Sequence, residues 1–249
     1  MKIVVFGGHS PIAIAISKKL AASRVNTIHV SRNPQTIMQN SFSKSDVQFI
    51  SIDLENEIEA NKIWTKLIDS TKIDGVVFAQ RYRGNLNNFN EMLQCDVITP
   101  FRLIEELCAK QNADNKRILL FTSPASDLII PSQGFPYHAT KTVILSMMKY
   151  FASGRVGNVT ANAICPSSYV YKERARAFYE KNKSYYSGIE SCIPSKNFTQ
   201  VEEIATLVNF LMIKASTSIN GQQFMLDGGL SVLDHSHLID KFIPLDDKF

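Results

Sequence analysis

Short apolar runs rich in valine and isoleucine recur along the whole chain, with helical patterns between them. They lie at 2–6 (KIVVF), 26–31 (NTIHVS), 47–51 (VQFIS), 75–79 (GVVFA), 117–122 (RILLFT), 159–164 (VTANAI) and 222–227 (QQFMLD). Helical stretches fall near 11–23, 56–70, 95–112, 136–153 and 202–214. In the last of these Ile204, Ala205, Leu207, Val208, Leu211 and Met212 recur at helical spacing. Strands without clean alternation suit a parallel sheet covered on both faces. Right-handed β-α-β crossovers then predict an α/β fold with a doubly wound sheet. Such sheets bind ligands beyond the carboxyl ends of their strands, where the strand order reverses. Functional residues are therefore expected just after the first, second, fourth, fifth and sixth strands.

With 249 residues, 45% of them hydrophobic, the chain can bury ~70–75% of its unfolded surface in one large core without staples. The charge balance is mild, 27 basic against 23 acidic residues. A small basic cluster (Lys172, Arg174, Arg176, Lys181, Lys183) reads as a solvated helix face; a nucleic-acid binder would carry a basic stripe. Cys95, Cys108, Cys165 and Cys192 lack the paired spacing of a zinc site, and the first three lie in apolar surroundings that suit reduced, packed thiols. His235 and His237 are too few for a metal site. No run approaches the ~18 apolar residues that span a bilayer, and GGHSP interrupts the apolar start before a signal-peptide core can form. Expected, then, is a cytoplasmic protein with no metal, no nucleic-acid partner and no membrane partner.

The first strand runs through GGHSPIAIAI into a helix. A strand-to-helix loop offers free backbone N–H groups and a positive dipole end to a phosphate. Gly7 permits the tight turn, and Pro11 fits a first helical turn, where its missing N–H is not needed. After the second strand stands Ser31-Arg32 with no acid nearby. A guanidinium beside a hydroxyl suits a ribose 2′-phosphate, hence NADP over NAD; the competing reading is a surface arginine.

Two Tyr-x-x-x-Lys patterns occur, Tyr137/Lys141 and Tyr179/Lys183. Tyr137 opens a helix after the fifth strand, which ends in Thr122-Ser123, whereas Tyr179 lies in a polar stretch (FYEKNKSYY) that reads as exposed and mobile. Spacing of four places Tyr137 and Lys141 on one helix face. A fixed ammonium favours the phenolate form of a neighbouring phenol, which suits acid/base work. Ser123 is placed to hold a substrate oxygen by a hydrogen bond.

Ser123 followed fourteen residues on by Tyr137-x-x-x-Lys141, behind a glycine-containing first turn, resembles the short-chain dehydrogenase/reductase family. Asp53-Leu54, the Asp96-Val-Ile-Thr-Pro-Phe stretch, Cys165-Pro166, and VEEIATLVNFL followed by INGQQFMLDGG extend the resemblance from residue 2 to about 231. It implies a single-domain Rossmann fold of seven mostly parallel strands over 1–231, with a substrate lid at 166–200 and a C-terminal tail at 232–249. It implies a homo-oligomer, a dimer or a tetramer built on the helices at 95–112 and 136–153. It also implies an NADP(H)-dependent oxidoreductase acting on a small ketone or secondary alcohol. Tyr137 would be the general acid/base. Lys141 would favour its phenolate and bind the nicotinamide ribose. Ser123 would orient the carbonyl, and Asp96 would stand where a helix asparagine often completes a proton relay. Gly7, Ser10 and Ile12 would line the pyrophosphate loop, with Ser31 and Arg32 at the 2′-phosphate. Asp53 and Leu54 would flank the adenine, and Ala79 and Pro166 would complete the cofactor site.

Departures from the family pattern are specific. The second and third loop glycines are Pro11 and Ala13, the Asn-Asn-Ala-Gly after the fourth strand reads Phe78-Ala79-Gln80-Arg81, and the threonine after the sixth strand is Tyr171. Arg81 and Arg83 suit an anionic group on the substrate, or else pair with acids such as Asp96 or with cofactor phosphates. The aromatic segment 166–200 (Tyr169, Tyr171, Phe178, Tyr179, Tyr185, Tyr186) is either a lid or a surface helix pair. In the tail, Leu238, Ile239, Phe242 and Ile243 read as a packing surface. Two alternatives stand beside the general reductase: a 3-oxoacyl-carrier-protein reductase, and a non-catalytic NADP-binding sensor or scaffold.

Overall fold

A computed structural model describes residues 1–36, 42, 47–112, 115–167, 170–172, 176–234 and 236. Seven parallel strands form one sheet: β1 (Lys2–Phe6), β2 (Asn26–Ser31), β3 (Val47–Ser51), β4 (Gly75–Phe78), β5 (Arg117–Phe121), β6 (Thr160–Pro166) and, after a two-stranded ribbon of β7 (Val170–Tyr171) and β8 (Thr199–Gln200), β9 (Gln223–Leu226). Their order is β3-β2-β1-β4-β5-β6-β9, so the winding reverses between β1 and β4.

Alternation along the central strands feeds two cores. Val4 and Phe6 of β1, Val76 and Phe78 of β4, and Ile118 and Leu120 of β5 face one layer of helices, while Ile3, Val5, Val77, Leu119 and Phe121 face the other. The first layer holds α2 (Glu57–Ser70), α4 (Thr99–Lys110) and α5 (Phe135–Ala152), and at its centre Trp64 donates its indole N–H to the Leu103 carbonyl at 2.8 Å. The second holds α1 (Pro11–Ala22) and α8 (Val201–Asn209), which pack on each other through Ile16, Leu20, Ile204 and Val208. Both faces of the sheet are thus covered, so even the polar residues that alternate along β2, Thr27, His29 and Ser31, are buried.

The helix expected at 95–112 begins earlier, at α3 (Phe89–Leu93), and reaches α4 through one π-helical turn, Gln94–Ile98. Pro100 offers no N–H to the Asp96 carbonyl four residues back, and the wider turn absorbs the lost bond. Residues after β6 fold as β7, α6 (Arg176–Lys181), α7 (Lys183–Cys192) and β8, elements too short to show a period in the sequence. Rings of Tyr171, Phe178, Tyr179, Tyr185, Tyr186 and Phe198 interlock there, so Tyr179 is half-buried where the sequence suggested an exposed residue. Tyr169, Arg174, His235, His237, Leu238, Ile239, Phe242 and Ile243 lie outside the described residues. All four cysteines are buried free thiols. Among the described residues no helix is long and apolar enough to cross a membrane, and no group of three or more His, Cys, Asp or Glu side chains is placed to hold a metal.

Candidate active site

A crevice of about 830 Å³ opens over the carboxyl ends of β1 and β4, at the reversal of strand order. Gly7, Gly8, Ser10, Ser31, Arg32, Asp53, Leu54, Ala79, Gln80, Arg81 and Arg83 are among its walls. The loop after β1 needs both of its glycines. A Cβ on Gly7 would stand 2.3 Å from the Ala13 Cβ and 3.4 Å from the Ala79 carbonyl oxygen. Gly8 adopts φ +51, in the left-handed region.

Strand β2 holds this loop from beneath. The Gly8 N–H donates to the Val30 carbonyl at 3.1 Å, and His29 Nε2 lies 2.9 Å from the Gly8 carbonyl oxygen. His29 is fully buried, and burial pushes its imidazole below the ordinary histidine range, against the raising effect of the bond to Gly8. The neutral ring then donates from Nε2 to Gly8 and accepts at Nδ1 from the Ser17 hydroxyl, 2.8 Å away. Sequence reasoning passed over His29; a histidine inside an apolar strand was the available signal.

Ser10 caps α1, its N–H donating to the Gly7 carbonyl at 3.0 Å, but its hydroxyl makes no capping bond to the helix. Pro11 is the first helical residue, as expected. Ile12 follows as the second residue of α1, half-buried, with its side chain packed against the second core. Its place on the inner side of the helix follows from the apolar run that begins there.

At the β2 end, Arg32 Nη1 donates to Glu55 Oε1 at 2.8 Å. The predicted phosphate ligand therefore already carries a carboxylate partner, supplied by the turn after β3. That turn is built by Asp53 Oδ1, which accepts from the Glu55 N–H at 3.1 Å, and by the Leu54 carbonyl, which accepts from the Thr99 hydroxyl at 2.8 Å. Ser31 Oγ accepts from the Asn33 N–H at 3.2 Å.

Tyr137 and Lys141 lie on α5, and Lys141 reaches the end of β5, two residues before Ser123; none of the three is a wall of this crevice. Tyr137 and Lys141 share a face of α5, with Lys141 Nζ 5.7 Å from the centre of the Tyr137 ring. Lys141 is buried, donates to the Phe121 carbonyl at 3.3 Å and lies 4.0 Å from Asp96 Oδ2. Asp96, in the π-helical turn, accepts from the Tyr82 N–H at 2.8 Å through Oδ1. Burial pushes the Asp96 carboxyl above its ordinary range, opposed in first place by the Lys141 ammonium. Ser123 is buried at the end of β5, and its hydroxyl accepts from the Ala125 N–H at 3.3 Å. Pro166 closes β6, in register with Leu226. The second pattern is divided: Tyr179 sits on α6 and Lys183 begins α7, so the two do not share one helix.

Arg81 joins the two halves. It lines the crevice, its guanidinium lies 4.6 Å from the centre of the Tyr137 ring, and Nη2 donates to Gln133 Oε1 at 3.3 Å. Its charge also acts on the Asp96 carboxyl, with no hydrogen bond between the two among the described residues. His138 pins the loop that carries Gln133, accepting from the Ile130 N–H at 2.8 Å and lying 2.9 Å from the Gly134 carbonyl oxygen.

These residues fit a dinucleotide. Close backbone approach at Gly7 and Gly8 and the uncapped Ser10 hydroxyl suit a pyrophosphate at the head of α1. Gln80 Oε1, on the crevice wall, is a buried acceptor with no hydrogen-bond partner among the described residues.

A family model described as enoyl-(acyl carrier protein) reductase matches residues 7–231. The short-chain dehydrogenase fogB of Aspergillus ruber is 28% identical over 162 residues, which is 59% of this chain and 59% of that protein. The chain thus spans about three-fifths of the length of this curated relative. Among solved structures, 4-hydroxyisoleucine dehydrogenase complexed with NADH superposes with a TM-score of 0.81 at 21% identity, over 94% of this chain and 100% of that one. ElxO with NADP bound gives 0.80 at 17% identity, over 93% and 99%. Fold, strand order and the extent of the family match agree, and the chain belongs to the short-chain dehydrogenase/reductase family.

Proposed function

We propose that the protein is an NADP(H)-dependent oxidoreductase that reduces a ketone or oxidises a secondary alcohol. The observation that carries this reading is the shared face of Tyr137 and Lys141 on α5, reached from the crevice through Arg81. Nicotinamide, when bound, supplies or accepts the hydride. Tyr137 gives its phenolic proton to the carbonyl oxygen in reduction and takes it back in oxidation. Lys141, held by the Phe121 carbonyl and Asp96, places positive charge beside that phenol. Ser123 offers its hydroxyl proton to the same oxygen. Arg32 would take the 2′-phosphate. ElxO was solved with NADP bound, which supports the choice of cofactor.

The substrate we infer is anionic. Arg81 bonds a neutral amide, so its charge is not cancelled by a hydrogen-bonded carboxylate among the described residues, and Arg83 lines the same crevice. Exposed Leu128, Ile129 and Phe135 border the β5–α5 loop, and this apolar rim favours, as a second reading, an acyl chain carried on an acidic protein. The segment 166–200 would act as its lid. We place the protein in the cytoplasm as a homo-oligomer joined through α4 and α5, where Val143 and Tyr150 are exposed.

The test is NADPH oxidation across a panel of neutral and anionic ketones, with Tyr137→Phe alongside. The reading expects turnover that falls ~10²–10⁴-fold in the variant. NADPH binding without turnover across the panel would favour the sensor, a reading suggested by Pro11, Ala13 and Arg81 at family glycine positions.

A further inference from the structure

The β2 end of the crevice holds more negative charge than a phosphate site needs. Arg32 stands there with three carboxylates, Asp53, Glu55 and Glu59, on the same wall. Asp53 is engaged with its own turn, through the Glu55 N–H, and Glu59 with the Asn56 side chain at 3.4 Å. Glu55 alone among the three bonds the guanidinium, at 2.8 Å. Both side chains reach solvent, 54% exposed for Arg32 and 31% for Glu55, so either can turn toward a ligand.

We propose that Glu55 is a cofactor-selectivity residue: its carboxylate holds Arg32 in the crevice and lowers the preference for a 2′-phosphate. This rests on the reading that the crevice takes a nicotinamide dinucleotide. A 2′-phosphate seeking Arg32 meets a carboxylate already on it. It must share the guanidinium or displace Glu55, and in either case it stands beside a like charge. A free 2′-hydroxyl meets no such penalty, since a carboxylate accepts a hydrogen bond from it. Arg32 therefore sets the direction of the preference, and Glu55 sets how steep it is. The position is distinctive because the acid comes from the turn after β3, while the residue conventionally read for cofactor choice follows β2.

The experiment is calorimetric titration of the full chain with NADPH and with NADH, in the wild type, Glu55→Gln and Glu55→Ala. Both substitutions remove the charge; only glutamine keeps the shape and an acceptor. Exposed charges of this kind change binding by a few-fold, and the expected result is an NADPH Kd lower on the order of fivefold in both variants. The NADH Kd is expected to stay level or rise. The NADPH gain should shrink in about 0.5 M NaCl, where the screening length falls to a few ångströms. An unchanged or weaker NADPH Kd in folded Glu55→Gln, or an equal gain for both dinucleotides, overturns the role of Glu55 and leaves the dinucleotide reading standing. A wild type that binds neither dinucleotide overturns both.

Discussion

Replacing Gly7 by alanine tests whether the phosphate loop and α1 are packed to their limit. The added methyl would lie 2.3 Å from the Ala13 Cβ, well inside the ~3.5–4.0 Å at which carbon atoms touch. Neither partner is a flexible tip: one Cβ sits on the loop backbone, the other in the first turn of a buried helix. Something in the backbone must move, and overpacking of this kind costs about 1–3 kcal/mol. Ala13→Gly removes the obstacle at a cost of about 1 kcal/mol for glycine in a helix. The double variant should therefore be destabilised by only about 1 kcal/mol, where simple addition of the upper figures gives about 4, a coupling of up to about 3 kcal/mol. Urea unfolding followed by fluorescence reads this directly, because Trp64 is the single tryptophan and is fully buried. Dinucleotide affinity should fall in Gly7→Ala and recover in the pair. If Gly7→Ala unfolds at the wild-type urea concentration, or if Ala13→Gly fails to rescue it, the close approach of loop and helix is not what requires glycine at position 7.

His29 and Asp96 give opposite pH signatures. His29 is held below the ordinary histidine range, so as pH falls through ~6.5 the unfolded chain binds the proton first and stability drops. His29→Phe should lack that drop, and it should weaken dinucleotide binding because the Gly8 carbonyl loses its partner; urea midpoints across pH 5–8 and a titration with NADPH check both. Asp96 is held above the ordinary carboxylate range, so the native state keeps its proton longer and stability falls as pH rises from ~4. Asp96→Asn should flatten that decline, measured as the difference in unfolding free energy between variant and wild type across the same range. Arg81→Ala should raise KM for anionic ketones by about tenfold more than for neutral ketones; steady-state kinetics with matched substrate pairs decide it.

Most of the framework was legible because burial on both faces writes itself into composition. The run at 26–31 became β2 with the same bounds, and those at 2–6 and 47–51 did likewise. What stayed hidden was short or cooperative. Strands β7 and β8 have two residues each and hold no period. The π-helical turn depends on how Pro100 is accommodated, which no local pattern records. At the site, residue types were readable but partners were not. Arg32 finds Glu55 across 23 positions and Arg81 finds Gln133 across 52, distances over which only the folded sheet sets proximity. Tyr179 misled for the same reason, since the rings of Tyr171 and Tyr186 that cover it come from β7 and α7, outside its own helix.

The altered glycine loop is better understood as repacked than as eroded. The Ala13 methyl fills the space that a side chain on Gly7 would need, so the loop and helix remain in contact with one methyl between them. Proline at the first helical position withholds one N–H from a phosphate, but that N–H belongs to the first turn, where none is needed by the helix itself. The adjacent Ser10 hydroxyl makes no capping bond and is a donor at the same end of α1. Where Pro11 has no backbone N–H, the neighbouring Ser10 hydroxyl is a side-chain donor. The geometry of the loop rests on the His29 and Val30 bonds to Gly8, which come from β2 and do not depend on either altered position.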